Sequence, residues 1–136
     1  MASHRGQHVM TLDHKAAYLN AAMKGPGVIM LLSPGVSSLL VELDNVHIQY
    51  IRADLKIAVR LKKALYGCIQ SALLWYNELS STIVNMGFVK NPYDSCSFRR
   101  VCGDDECTIL VYVDDLFIMS SAQHNLHEVS STLRQE

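Results

Sequence analysis

Ile109-Leu110-Val111-Tyr112-Val113-Asp114-Asp115-Leu116-Phe117-Ile118-Met119 sets two adjacent carboxylates inside an otherwise apolar run. Like charges side by side are unfavourable in or near a core unless a cation compensates them. At the tip of a hairpin they leave the core while two buried strands still anchor them. A tight connection with Asp and no Gly is unusual turn chemistry. Carboxylates held on a rigid element suit a metal site, and a solvated Asp-Asp turn is the competing reading. Working outward, Val9–Leu12 reads as a strand that ends at a third carboxylate, Asp13. Magnesium takes oxygen ligands, often one or two carboxylates plus substrate phosphates. Two strand ends far apart in sequence can meet across a sheet, which raises two-metal phosphoryl transfer as a hypothesis. Read alone, Asp13 is a helix N-cap.

The rest of the chain supplies the other elements. Ala16–Met23 is Ala-rich and reads as a short helix, broken by Gly25-Pro26-Gly27. Val28–Leu32 and Ile57–Leu61 read as strands, Val36–Leu43 as a helix, and Asp44–Asp54 as a loop with an extended piece. Gln70–Met86 is the strongest helix: Leu73, Tyr76, Leu79, Ile83 and Met86 recur at three and four, and Gly87 supplies a C-cap. Ser95–Val101 and Cys107–Val113 read as strands joined by Gly103–Glu106, and Leu116–Met119 as another. Ser120 with Gln123 spells a capping box for a last helix whose apolar face is Leu126, Val129 and Leu133. Hairpins mixed with helices, rather than regular βαβ units, predict an α+β fold with an antiparallel sheet.

Composition narrows the classes. The chain has 136 residues, one domain's length, with 49% hydrophobic and 18% charged residues, which excludes a disordered tail. Twelve Lys and Arg against thirteen Asp and Glu leave no global basic field, so any nucleic-acid site is local. Arg60, Lys62 and Lys63 form the one compact basic group, read as a phosphate contact or a solvated patch. No apolar run approaches the ~20 residues of a membrane helix, and residues 1–8 carry no secretory signal, so a cytoplasmic chain is expected. Cys68, Cys96, Cys102 and Cys107 contain no C-x-x-C pair. Cys68 and Cys96 are expected to be buried, while Cys102 and Cys107 flank a turn and a disulfide there is open. His124 and His127 have no third ligand in view and read as surface residues.

Tyr112-Val113-Asp114-Asp115 within an apolar hairpin resembles the reverse-transcriptase catalytic box. Leu12-Asp13-His14-Lys15-Ala16-Ala17-Tyr18-Leu19-Asn20 resembles the first catalytic block of copia-type retrotransposon polymerases. Leu61–Ser71 with Leu74-Trp75-Tyr76, then Gly87-Phe88 with Asn91–Cys96, are similar to the family's next blocks, in order. The resemblance implies a palm subdomain, with Asp13, Asp114 and Asp115 as catalytic carboxylates. Asp13 and Asp114 would hold two Mg2+ ions, for which Mn2+ is a substitute, and Asp115 would be the most dispensable ligand. The ions would activate a primer 3′-hydroxyl and neutralise the triphosphate. Tyr18 matches the aromatic that blocks a ribose 2′-hydroxyl; without the family it reads as a core aromatic. Gly67 and Gln70 match the block facing template and nucleotide, and Tyr112 would lie near the primer end or serve sheet packing. Trp75 and Tyr76 read as core residues of the long helix. The implied partners are an RNA or DNA template with primer and deoxynucleoside triphosphates, with no membrane, in the cytoplasm or inside retrotransposon particles.

Gly103-Asp104-Asp105 resembles the Gly-Asp-Asp string of RNA-dependent RNA polymerases, yet Arg99, Arg100 and Glu106 surround it, and a solvated loop explains it better. Ile69 and Ala72 stand where a basic residue and a proline are common in the family. Relative to the family, residues 1–136 are expected to form a partial palm domain. Most of the fingers, the thumb and the ribonuclease H domain, normally in the same polyprotein, lie outside it. Weak or absent turnover and exposed apolar surface follow from that expectation. The competing functions are a non-catalytic remnant or nucleic-acid-binding module, and another two-metal phosphotransferase.

Overall fold

In a computed structural model, the structure describes residues 6–134. Five strands form an antiparallel sheet in the order β1-β7-β6-β5-β4: β1 His8–Asp13, β4 Val89–Lys90, β5 Ser97–Cys102, β6 Asp105–Tyr112 and β7 Asp115–Ser120. The helices α1 (Ala17–Asn20), α3 (Ser71–Asn85) and α4 (Gln123–Leu133) complete this layer pair. A separate two-stranded sheet joins β2 (Ile29–Leu31) to β3 (Ala58–Arg60), with α2 (Pro34–Leu43) between them in sequence. The mixture of helices with antiparallel strands is α+β.

Alternation decides which face of the main sheet is covered. Cys107, Ile109 and Val111 of β6 and Leu116 and Ile118 of β7 are buried, together with Leu12 and Phe98. They meet Trp75, Leu79 and Ile83 of α3 and Leu126, Val129 and Leu133 of α4 in one core. Period-two burial on a strand against a helical stripe makes a two-layer domain. The alternate residues, among them Thr11, Asp13, Tyr112, Asp115 and Phe117, are exposed.

Two local devices fix the far end of this core. Helix α3 closes on Gly87, whose φ of +86° suits glycine. The Gly87 amide donates to Val84 O at 2.9 Å and the Phe88 amide to Ile83 O at 3.4 Å, while Ile83 and Phe88 are both buried. This is the Schellman arrangement. Arg100 then ties three elements together. Its guanidinium donates to both carboxylate oxygens of Glu128 at 2.9 Å and to Met86 O at 3.0 Å, and lies 4.8 Å from the Phe88 ring centre.

Several expectations are corrected. The helix expected over Ala16–Met23 is a single turn, because Met23 and Ala22 turn away to pair with the Lys62–Lys63 backbone. Asn45–Tyr50 is a 3-10 helix rather than a loop, capped by Asp44, whose carboxylate accepts from the Val46 amide. On α3 the buried stripe is Ser71, Trp75, Leu79 and Ile83, so Leu73 is exposed. Ser120 does not box α4. It ends β7 with its hydroxyl on Glu106 O, and the N-cap is Ala122. Cys96 is exposed and Cys68 half-buried, because both lie in connections outside the core, and all four cysteines are free. The expected exposed apolar surface is present over residues 29–55, where Ile29, Leu39, Leu43, Ile48 and Tyr50 all face solvent.

Candidate active site

The hairpin Tyr112–Asp115 is a tight connection between the two central strands of the β1-β7-β6-β5 run. Tyr112 and Asp115 are paired, which leaves Val113 and Asp114 as a two-residue turn. Val113 adopts φ +57°. A left-handed conformation at a β-branched residue is a strained one, of order 1–3 kcal/mol, and persists only where the surroundings impose it. The surroundings are visible. The buried indole of Trp75 donates from Nε1 to Val113 O at 2.7 Å, and the His14 amide donates to Asp114 O at 2.9 Å. The His14 ring meets the Trp75 ring edge-on, with centres 5.2 Å apart.

Pairing of β1 with β7 sets Asp13 directly opposite Asp115. Opposed residues in an antiparallel pair project from the same face. Asp13, Asp115 and Tyr112 therefore form one cross-strand row on the uncovered face, at its edge. All three are exposed, Tyr112 to 78%. Asp114, in the turn beside this row, is half-buried, and its Oδ2 accepts a long hydrogen bond from the Tyr66 hydroxyl at 3.4 Å. Asp13 is the last residue of β1. The N-cap of α1 is Ala16, so the helix-cap reading of Asp13 is not realised.

The remaining candidates lie around this edge in different ways. The Tyr18 ring stacks on the Tyr66 ring at 4.3 Å between centres and 27° between planes, and packs against the core. Gly67, at φ +93°, follows Tyr66 and is exposed. Gln70 is half-buried and its side-chain amide contacts Met23 Sδ at 2.9 Å, so it reaches toward the segment after α1. Arg60, Lys62 and Lys63 are exposed, and Ile69 is fully so. Gly103 and Asp104 form a solvated turn, and Asp105 pairs with His124 at 3.7 Å and accepts from Ser121 Oγ, away from the Asp13 row.

A groove of about 420 Å³ runs over the uncovered face past Thr11, Leu110, Tyr112, Asp115 and Phe117. Asp13 also lines a cleft of about 560 Å³ with His14, Lys15, Asn20 and Arg134. Among the described residues no three His, Cys, Asp or Glu side chains are drawn together as a ready-made metal cage. The donor set nevertheless fits a hard divalent cation. Magnesium keeps most of its water and asks a protein for one or two carboxylates, with phosphate oxygens completing its shell. Asp13 and Asp115 in the row and Asp114 in the adjoining turn are the carboxylates available for that chemistry at this edge.

Two contributors escaped the sequence reading. Trp75 appears there only as a core residue, although a buried indole N–H needs a partner, and that need was the available signal. Tyr66 lies inside the Leu61–Ser71 block with no signal of its own in the sequence. Its hydroxyl is shifted above the usual phenol range, by desolvation first and then by the neighbouring Asp114 carboxylate.

Comparison with known proteins identifies the relatives of this arrangement. The family described as reverse transcriptase (RNA-dependent DNA polymerase) matches residues 1–136. The retrovirus-related Pol polyprotein from transposon RE1 of Arabidopsis thaliana is 37% identical over 76 residues, 56% of this chain and 5% of that protein. Its counterpart from transposon RE2 is 41% identical over 59 residues, 43% of this chain and 4% of that protein. The truncated transposon Ty1-A Gag-Pol polyprotein of Saccharomyces cerevisiae is 25% identical over 137 residues, 96% of this chain and 11% of that protein. The chain thus spans a small part of the length of these relatives. No solved structure matches it.

Proposed function

Because the chain belongs to the reverse transcriptase (RNA-dependent DNA polymerase) family, with copia-type relatives, we propose that it carries the acidic centre of a retrotransposon RNA-directed DNA polymerase, on a palm-type sheet. The observation that carries this reading is the β1–β7 register. It sets Asp13 opposite Asp115 and beside the Asp114 turn, although Asp13 and Asp114 come from opposite ends of the chain.

Asp13 and Asp114 would hold the divalent ions, Mg2+ by preference, with Asp115 adjoining. When bound, such ions activate a primer 3′-hydroxyl and offset the charge of a triphosphate. The chain's own part is positioning. The sheet keeps Asp13 and Asp115 on one exposed row, and Trp75 and His14 hold the turn that carries Asp114. Tyr18 stands five residues after Asp13 on the neighbouring turn of helix, where its ring would exclude a ribose 2′-hydroxyl. Tyr112, exposed in the same row as Asp115, would meet the primer end, and Gly67 and Gln70 the template and nucleotide. The proposed partners are a primed RNA or DNA template and deoxynucleoside triphosphates, met within a Pol polyprotein.

The test is primer extension on poly(rA)–oligo(dT) with dTTP in Mg2+ and in Mn2+. Short products are expected that disappear in Asp13→Asn and Asp114→Asn. Incorporation that survives both substitutions would refute the assignment of the centre.

A further inference from the structure

We infer that Tyr66 is a positioning residue for two groups at once, its hydroxyl holding the Asp114 carboxylate and its ring holding Tyr18; this rests on the acidic centre proposed above. Three segments meet at this one side chain. The hydroxyl donates to Asp114 Oδ2 in the β6–β7 turn, and the ring stacks at 4.3 Å on Tyr18 of α1, while Tyr66 itself belongs to the β3–α3 connection.

Packing does not account for Tyr66. It is 50% exposed and lies outside the core, whereas its partner Tyr18 packs against the core. An aromatic that serves only burial would be covered. The backbone beneath Tyr66 is nevertheless rigid. The buried Ser71 hydroxyl donates to Leu65 O at 2.7 Å and accepts from the Leu65 amide at 3.1 Å, and the Ala64 amide donates to Ala21 O at 2.9 Å. A half-exposed ring on a clamped backbone is suited to holding other groups in place. By bonding Oδ2, the hydroxyl restricts the Asp114 carboxylate before any cation arrives, so less ordering remains to be done on binding. By stacking, the ring narrows the range of Tyr18, which in the proposed function discriminates between sugars.

The two contacts separate by substitution. Tyr66→Phe removes the hydroxyl and keeps the stack, whereas Tyr66→Leu removes both. The experiment titrates Mn2+ into the full chain by electron paramagnetic resonance. It then measures competition of dTTP and UTP for the Mn2+-loaded chain, for wild type, both variants and Asp114→Asn, with circular dichroism to verify folding. Tyr66→Phe should weaken Mn2+ binding about threefold to tenfold, the range expected of one ordinary hydrogen bond, since the 3.4 Å contact is too long for a strong charge-assisted one. It should leave the dTTP-over-UTP preference at the wild-type value. Tyr66→Leu should weaken Mn2+ similarly and also lower that preference about fivefold or more. If Tyr66→Phe binds Mn2+ as well as wild type while Asp114→Asn does not, the positioning role is overturned and the acidic centre stands. If Tyr66→Leu leaves the preference intact, the role toward Tyr18 is overturned. If Asp114→Asn binds Mn2+ as wild type does, the centre itself is wrong and this inference falls with it.

Discussion

Replacing Trp75 by phenylalanine separates what the indole does for the core from what it does for the hairpin. Phenylalanine keeps an aromatic ring among Leu79, Ile83 and Leu12 but has no N–H for Val113 O, now 2.7 Å from Nε1. Losing that hydrogen bond costs about 1–1.5 kcal/mol. The missing second ring leaves a small void worth about 1 kcal/mol more. The sum, about 2–2.5 kcal/mol, lowers Tm by about 8–10 °C for a chain of this length. The informative readout is local. The His14 amide donates to Asp114 O, one residue from the released carbonyl, whereas the Asn91 amide donates to Ser97 O at the β4–β5 end. With the indole bond gone, Val113 is free to leave its left-handed conformation and the turn opens. Hydrogen exchange at His14 should then accelerate about fivefold to tenfold beyond any change at Asn91, the equivalent of that one bond. Equal acceleration at the two amides would show that Trp75 serves only the core, and would refute the argument that it imposes the turn.

Val113→Gly removes the side chain that makes φ +57° unfavourable, and should raise stability by about 1 kcal/mol after the greater chain entropy of glycine is subtracted; thermal melting measures it. Gly87→Ala places a Cβ at φ +86° in the α3 terminus; with no close clash, it should cost about 1 kcal/mol of conformational strain, read from urea midpoints. Glu128 is held below its ordinary carboxylate range, first by its hydrogen bonds from Arg100. A carboxylate lowered in the folded state adds stability that is present above the ordinary range and lost as pH falls through the lowered value. Wild type should therefore exceed Glu128→Gln at pH 7, by no more than about 1 kcal/mol because the carboxylate is half-exposed. The two should converge in acid, and a difference that persists at pH 2 would contradict this.

What was legible in the sequence was local. The Ile109–Met119 run, the Val9–Asp13 strand and helix α3 announce themselves by period and by punctuation at Gly87. The exposed Leu73 shows the limit of that reading, since two stripes on α3 fit the spacing and only the position of the sheet selects Ser71–Trp75–Leu79–Ile83. Ser120 was misread because its hydroxyl satisfies Glu106 O and the Asn125 side chain across the sheet, a demand no local motif reveals. The one-turn α1 has the same cause, as residues 22–23 leave the helix to pair with Lys62 and Lys63. At the site, each carboxylate was visible by itself, but the strand register that faces Asp13 with Asp115 rather than Asp114 is a non-local fact. Tyr66 has no periodic or motif signal of its own, and its importance rests on where Tyr18 and Asp114 lie in space.

The most direct test of the acidic centre is an anomalous difference map from crystals of the chain grown with Mn2+. The account predicts density beside the Asp13–Asp115 row at the Val113–Asp114 turn, absent in crystals of Asp13→Asn. Density at Asp104 or Asp105 instead, or none at the Asp13 row when the metal saturates the chain in solution, would contradict it.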